Sequence, residues 1–598
     1  MRRISNFEHK YLTNIRYYGK IEELSKLYER SKQNKSFKKL YEKIIDKNNI
    51  LLAYRSIRDN KGSKTRGCDG LNIQFFEEKT LEEVVEFVQS YLKNYQPKKV
   101  KRVFIPKKNG NKRPLGIPSI KDRLIQQCIR QILEPICEAK FYPHSYGFRP
   151  NRSTTHALAR NLNLINHSKM YHVIDVDIKG FFDNVNHKKL IRQIYALGIQ
   201  DKRLISIIKK MLKAEIKGEG IPNKGVPQGG ILSPLLSNIV LNELDWWIAS
   251  QWDIFPSEFP YVKKENKHLV LQKHSKLKEI RITRYADDFQ IYCRSKDVAV
   301  KTKVAVTKWL KERLELNINE EKSKIINLKH ANVDYLGFTI RLRKKGNKLT
   351  HSTEICKINQ DKIYKTLKAQ IKLVIKNPSM RNILKYNQII VGTHNYFKYA
   401  SQVCINLNKI NWKLYFTINK MNKLRGQPNT KSKNFYNRKY GKYKTFSVNN
   451  IDLIPIAGIN HIYAKSLNQN INFYTIEGRE LVAKRKLDLS GLVQTFLNRR
   501  SKYYSLEMLN FGASLIHAQK GSCKITGLPL DDNFHLHHII PRSKGGKDNY
   551  RNLIAINERY HNMIHWNKSV DKEDKMLKYY IEDINKYRKL AGIEEIII

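Results

Sequence analysis

Two adjacent carboxylates in the segment Arg284-Tyr285-Ala286-Asp287-Asp288-Phe289 constrain this chain more than any other feature. Apolar residues flank them, Ile282 before and Phe289, Ile291 and Tyr292 after, so the pattern predicts a strand, a tight acidic turn and a second strand. Like charges at a hairpin tip repel each other unless a divalent cation or another strong positive charge lies close by. Because aspartates also serve plain turns, the metal reading needs a second carrier. Val173-Ile174-Asp175-Val176-Asp177-Ile178, followed by Lys179-Gly180-Phe181-Phe182-Asp183, supplies it. Period-2 alternation sends Ile174, Val176 and Ile178 to one face and Asp175 and Asp177 to the other. Asp177 is thereby available to share a metal with Asp287. Phosphoryl transfer to a sugar hydroxyl calls for two cations roughly 3.5 to 4 Å apart, and carboxylates on separate strands can hold such a pair.

These segments belong to an ordered series: Phe104-Ile105-Pro106-Lys107-Lys108 with Arg113-Pro114-Leu115-Gly116-Ile117-Pro118; Ser145-Tyr146-Gly147-Phe148-Arg149-Pro150; the Asp177 strand; Val226-Pro227-Gln228-Gly229-Gly230-Ile231-Leu232-Ser233-Pro234-Leu235; Tyr285-Ala286-Asp287-Asp288; and Tyr335-Leu336-Gly337-Phe338. In this order they resemble reverse transcriptases, specifically the proteins encoded by group II introns, over about Lys101 to Phe338. The resemblance implies an RNA-directed DNA polymerase with Asp177, Asp287 and Asp288 holding two Mg²⁺ ions and dNTPs as substrates. It also implies that Phe182 is the steric gate, its ring lying where a ribonucleotide's 2′-hydroxyl would be; a core phenylalanine is the competing reading. Lys107 and Arg113 flank the hairpin-turn signal Asn109-Gly110, which suggests a fingers hairpin laying cations over the nucleotide's triphosphate. Solvated basic side chains would read the same way. Gln228 lies in Pro227-Gln228-Gly229-Gly230, where glycine lets the backbone approach a template or nucleotide closely, or where a structural loop simply turns.

The 598 residues allow several domains, and 112 Lys and Arg against 54 Asp and Glu give a formal net charge of +58. Self-repulsion of that size calls for a polyanionic partner. No apolar run is long enough to span a bilayer and Met1-Arg2-Arg3-Ile4-Ser5-Asn6 leads into no signal core, so neither a membrane partner nor secretion is expected. Seven scattered cysteines without a Cys-x-x-Cys pair fit a reducing compartment: the cytoplasm of a bacterium, or otherwise a mitochondrion or chloroplast.

Residues up to about Val100 read as amphipathic helices, with Leu81, Val84, Val85, Val88 and Leu92 as one apolar stripe. The Lys-rich stretch between Trp247 and Ile282 reads as a surface hairpin or loop, or a nucleic-acid contact. After Phe338, Ile363, Leu367, Ile371 and Val374 recur at helical spacing. Around Gly392-Thr393-His394-Asn395-Tyr396-Phe397-Lys398-Tyr399-Ala400 the chain resembles the maturase thumb of group II intron proteins. Lys431 to Lys444 interleaves cations with Phe435, Tyr436, Tyr440 and Tyr443, a composition suited to phosphate neutralisation and base stacking or to a solvated linker.

From Cys523 the chemistry changes. His537-His538 precedes Gly545-Gly546 and Asn552, and His561 and His565 stand i, i+4 on a helical segment, where one face can chelate a metal. The arrangement resembles the HNH, or ββα-metal, nuclease motif over about Gly521 to Asn567. The resemblance implies one divalent metal held by His537, His561 and His565, His538 as the general base, and Asn552 pinning the loop. Many family members frame the motif with two Cys-x-x-Cys pairs; here Thr526 stands where the partner of Cys523 would, and Asn557 and Tyr560 replace the second pair, so no structural zinc is expected.

The expectation is a multidomain α+β chain: an N-terminal extension to the fingers (1–100), reverse transcriptase fingers and palm of a right-hand polymerase (101–345), a helical maturase thumb (346–470), a basic DNA-binding region (471–520) and an HNH endonuclease (521–598). Group II intron RNA and target DNA are the expected partners, and a dimer is compatible with this reading. The expected function is intron splicing assistance with mobility by target-DNA nicking and RNA-templated DNA synthesis. A splicing-only RNA-binding maturase with vestigial polymerase or nuclease is the alternative, though intact Asp177, Asp287 and Asp288 speak against it; a retron or diversity-generating reverse transcriptase would lack the maturase and HNH parts.

Overall fold

The computed structural model describes residues 19–58, 60–106, 112–257, 259–262, 264–424, 443, 446–449, 451–485, 496, 506–519, 521, 523–526, 530, 533–565 and 577–597. Lys107, most of the Lys431–Lys444 segment and much of the expected DNA-binding region lie outside them. The chain divides into two units, one of residues 30–44 and 56–469, the other of residues 1–29, 45–55 and 470–598. Among the described residues no helix is long and apolar enough to cross a membrane.

The larger unit mixes helices and antiparallel strands. Strands β1 (Lys101–Pro106) and β2 (Lys112–Ile117) pair as a two-stranded ribbon from Lys101↔Ile117 to Pro106↔Lys112. Strands β3 (His172–Asp177), β4 (Ile280–Tyr285), β5 (Asp288–Cys293) and β6 (Lys324–Asn327) form a sheet in the order β4-β5-β3-β6. Its apolar side is dense: Ile174, Val176, Ile282, Phe289 and Ile291 are all buried, as alternation requires when one face meets the core. Strands β7 (Val333–Tyr335), β8 (Phe338–Lys345) and β9 (Lys348–Ile355) form a second antiparallel sheet. The expected boundary at 345/346 therefore falls on the tip of the β8–β9 hairpin, whose strands pair from Phe338↔Ile355 to Lys345↔Lys348. No division of the fold lies there.

Among the described residues four helices follow, Lys357–Lys376, Met380–Phe397, Val403–Lys413 and Tyr415–Asn422. Ile363, Leu367, Ile371 and Val374 line the buried face of the first. Phe338 joins these helices to the second sheet by stacking on Tyr396 at 5.8 Å, and His394 binds the carbonyl of Ile456 at 2.8 Å. From Lys362 to Ile451 the sequence has nineteen Lys and Arg and no Asp or Glu. Upstream, helix Leu81–Lys93 starts at a capping box between Thr80 and Glu83 and buries Val84, Val85, Val88 and Leu92. Leu81, predicted to share that stripe, stays 45% exposed because it sits in the first turn. The Lys-rich stretch before β4, which reads as a surface hairpin or loop or as a nucleic-acid contact, contains a helix, Lys264–His274.

Two short strands of the larger unit, β10 (Ser447–Val448) and β11 (Ile451–Asp452), pair antiparallel with each other. Strand β12 (His535–His538) pairs antiparallel with β13 (Leu553–Ile556), and helix Glu558–His565 follows. Their core draws on Phe496 and on Met508, Phe511, Leu515 and Ile516 of helix Leu506–Ala518, as well as on Tyr580, Ile584 and Tyr587 of helix Leu577–Ala591. A boundary at 521 would cut through this core, and the packed unit begins upstream of it.

Candidate active sites

In the larger unit the sheet edge assembles the acidic residues. Asp177 at the end of β3 stands directly opposite Asp288 at the start of β5, and Asp175 opposite Gln290. Asp287 occupies the β4–β5 turn beside Ala286, whose φ of +60° marks a strained reversal. Arg284 holds that turn in place. Fully buried, it donates from Nε and Nη2 to the carboxylate of buried Asp245 at 2.6–3.0 Å and from Nη1 to Asn238 Oδ1 at 3.0 Å and to the carbonyl of Ala286 at 2.8 Å. The Ser145–Pro150 motif closes the other side. Tyr146 N donates to the carbonyl of Arg284 at 2.8 Å, and a Cβ on Gly147 would stand 2.3 Å from Ala286 N, so only glycine fits. Arg149 fixes the motif by pairing with Glu138 and donating to the carbonyls of Tyr142 and Ser145.

The electrostatics follow from this crowding. Water reaches Asp288, yet protein surrounds most of it; that enclosure, ahead of repulsion from Asp175, Asp287 and Asp177, pushes its carboxyl up to about 7, a shift that access to water moderates. Burial also raises Asp287, opposed by Arg113 and Arg284, and raises Asp175, opposed by a 3.0 Å hydrogen bond from Gln290. Carboxylates that resist ionising together fit a divalent cation, which removes the repulsion. Lys322 Nζ stands 3.4 Å from Asp177 Oδ2, an exposed and therefore weak pairing.

Phe182 lines a cavity of about 430 Å³ together with Arg102, Phe104, Pro114, Val226 and Pro227. Its neighbour Phe181 is the buried core ring. Arg113 is exposed on β2, near enough to Asp287 to oppose the rise that burial causes in its carboxyl. The carbonyl of Gln228 accepts from Gly116 N at 2.8 Å, and a Cβ on Gly229, at φ +124°, would stand 2.5 Å from the Gly116 carbonyl. The close backbone approach that glycine permits here is to β2 of the same chain.

The smaller unit brings its histidines together more tightly. Ligand atoms of His537, His561 and His565 all lie within 4.8 Å of one another. The three aspartates are not such a group among the described residues. His537, 2% exposed, has a buried Nε2 without a hydrogen-bond partner, an orphaned acceptor that a metal would satisfy. Burial, ahead of the neighbouring imidazoles, pushes His537 and His561 down to about 3 and lowers His565, so all three are held in the neutral form that ligates metals. His535, which the motif does not single out, stacks on His561 with ring centroids 4.4 Å apart. Asn552 Oδ1 accepts from Ile540 N at 2.8 Å while its amide donates to the carbonyls of Ile540 and Lys547 at 2.9 and 3.1 Å, closing the loop between β12 and β13. His538 Nε2 is 2.7 Å from Asp548 Oδ1. Cys523 is buried in the core, its Sγ 3.5 Å from Asn557 N.

Sequence reasoning gave Asp175 no role at the site, and it missed Arg284, His535 and Asp548. For Asp175 the signal was present, since alternation puts it on the face of Asp177; for the others a charge in a turn or strand looks solvated until its partner is known.

Comparisons with known proteins match the two segments in which these clusters lie. The family described as reverse transcriptase (RNA-dependent DNA polymerase) matches residues 105–340, and the HNH endonuclease family matches residues 521–566. The group II intron-encoded protein LtrA of Lactococcus lactis subsp. cremoris is 31% identical over 460 residues, 66% of this chain and 75% of its own length. Protein YkfC of Escherichia coli is 31% identical over 324 residues, 52% of this chain and 84% of its own. The putative COX1/OXI3 intron 1 protein of Saccharomyces cerevisiae is 28% identical over 329 residues, 49% of this chain and 38% of its own.

Proposed function

The chain belongs to the group II intron-encoded proteins, and from that premise we propose how its residues divide the work. It is an RNA-directed DNA polymerase and maturase with an HNH endonuclease. It assists the splicing of its intron RNA, and it supports mobility by nicking target DNA and copying the RNA from the released 3′ end. The observation that carries this reading is the facing pair Asp177 and Asp288 with Asp287 at the adjoining turn. The β1–β2 ribbon serves as fingers, the sheet β4-β5-β3-β6 as palm and the helices from Lys357 as thumb.

Held by Asp177, Asp287 and Asp288 in one unit and by His537, His561 and His565 in the other, divalent cations supply charge neutralisation at the reacting phosphoryl oxygens. The remaining roles fall to the chain itself. Arg113 and Lys107 bind the triphosphate of the incoming dNTP. Phe182 excludes the 2′-hydroxyl from the cavity it lines, and Gln228 braces the nucleotide site by tying its loop to β2. In the nuclease His538 takes a proton from the attacking water. RNA and DNA are gathered by the net charge of +58. The splicing-only alternative is disfavoured because Asp177, Asp287 and Asp288 are all intact and repel one another at a site that only a cation would make favourable.

Primer extension on an RNA template with purified protein and Mg²⁺ tests the polymerase. Wild-type cDNA synthesis that is lost in Asp287→Ala is the expected result; equal extension by both overturns the assignment.

A further inference from the structure

We propose that Asp548 is a positioning residue of the nuclease, fixing the tautomer and orientation of His538 while Arg542 fixes Asp548. The inference rests on the nuclease reading above and adds a residue that the histidine and asparagine motif does not contain. His538 Nε2 lies 2.7 Å from Asp548 Oδ1, with the two side chains only 15% and 19% exposed. Arg542 Nε donates to Oδ1 at 2.8 Å and its Nη2 to Oδ2 at 2.6 Å, so the carboxylate is gripped on both oxygens.

The chemistry follows from what each group can do. An ionised carboxylate only accepts hydrogen bonds, so the proton between them must sit on His538 Nε2. The lone pair is then on Nδ1, which becomes the base. During cleavage the water oxygen bonds to phosphorus as the P–O3′ bond breaks. Its proton passes to His538 Nδ1, and the leaving 3′ oxygen takes a proton from solvent. The imidazolium so formed is stabilised by the carboxylate at 2.7 Å. Arg542 keeps that carboxylate ionised through the cycle and stops it rotating away.

The loop is built to hold this geometry. Asn552 donates to the carbonyl of Lys547, the residue before Asp548. Asn549, the residue after it, accepts from Arg551 N and Asn552 N at 3.1 and 2.9 Å. Asp548 is thus clamped on both sides in sequence, which an incidental surface ion pair would not need. It sits ten residues from His538, within the same β12–β13 connection.

The test uses full-length protein assembled with its intron RNA, and as probe a DNA duplex carrying the joined exons that flank the intron. Single-turnover nicking is measured for wild type, Asp548→Asn, Asp548→Glu and His538→Ala. An amide can donate to Nε2 and stabilise the wrong tautomer, so Asp548→Asn should nick at least ~10²-fold more slowly. Metal content of the histidine trio, duplex binding and primer extension in the same preparation should stay within about twofold, since these draw on other residues. Asp548→Glu restores the charge and should recover at least a tenth of the rate, about the expected penalty for a displaced base. In the His538→Ala background with added imidazole, Asp548→Asn should change nicking by less than about twofold, because a residue acting only through His538 has nothing left to orient. The same loss in that background as in wild type would show a structural role and overturn the proposal. So would undiminished nicking by Asp548→Asn when His538→Ala is inactive. Nicking that survives His538→Ala unchanged would instead overturn the nuclease reading itself.

Discussion

At Asp287 and Phe182 single side chains separate chemistry from binding. Asp287→Ala should slow RNA-templated extension by at least ~10²-fold, as loss of a key electrostatic group does. Its affinity for intron RNA should remain within about twofold, since binding is spread over many cations. Filter binding beside primer extension checks both. Phe182→Ala should raise ribonucleotide use relative to dNTPs by roughly 10- to 100-fold, the range for removing a steric clash in a pocket; gel analysis of products made in mixed nucleotides reads it. Residues of this kind were legible because strand alternation and turn chemistry expose them: Asp177 from its period, Asp287 and Asp288 from their flanks. Arg284 was not, because an arginine one residue before the acidic motif looks solvated, and only the helix carrying Asp245 and Asn238 explains its burial. Asp548 was hidden for the same reason, its partner being visible only once the loop has closed.

Between residues and the whole stand the joints of the elements. Among the described residues the β1–β2 ribbon pairs with no further strand, so the Gly116–Gln228 hydrogen bond and the Arg102–Glu219 pair at 2.6 Å help to place it, beside the backbone bonds of Val100 to Glu215 and Lys217. Gly229→Ala would combine a left-handed φ with a Cβ 2.5 Å from the Gly116 carbonyl, a strain on the order of 1–3 kcal/mol. The expected outcome is a higher KM for dNTPs with RNA affinity unchanged, read from steady-state extension. Glycine's permissiveness at this position was readable; that its neighbour is β2 was not, since contacts across more than a hundred residues leave no local mark. A second joint is Asp122, buried where it accepts from Tyr95 Oη and Lys98 N, both at 2.9 Å. Burial, only partly offset by these bonds, pushes its carboxyl up to about 6. A raised carboxyl favours the folded state fully below its unfolded value of about 3.9, and that contribution is lost as pH rises through about 6, on the order of 3 kcal/mol in all. Relative to Asp122→Asn, wild type should therefore lose thermal stability between pH 4 and 7, a difference that paired melting curves of the two proteins measure.

For the molecule as a whole, division of labour depends on where the chain can be cut. Ending it after Arg485 should abolish nicking and leave primer extension intact. Ending it after Lys520 should instead give aggregated protein in size-exclusion chromatography, because Met508, Phe511, Leu515 and Ile516 would lose the partners they pack on. The HNH motif was readable from its histidines, but an apolar helix face before it does not say which core it joins, so the boundary was not. The stretch from Lys362 to Ile451, with nineteen cations and no acid, has a consequence for the life of the protein before it meets any substrate. Such a segment contains no internal counterion, and its repulsion relaxes when an outside polyanion settles on it. Bound RNA then acts as a thermodynamic part of the fold, raising the melting temperature in proportion to the logarithm of its concentration. Protein made apart from its transcript would be the less durable form, and synthesis beside the parent RNA is itself a means of keeping the chain intact.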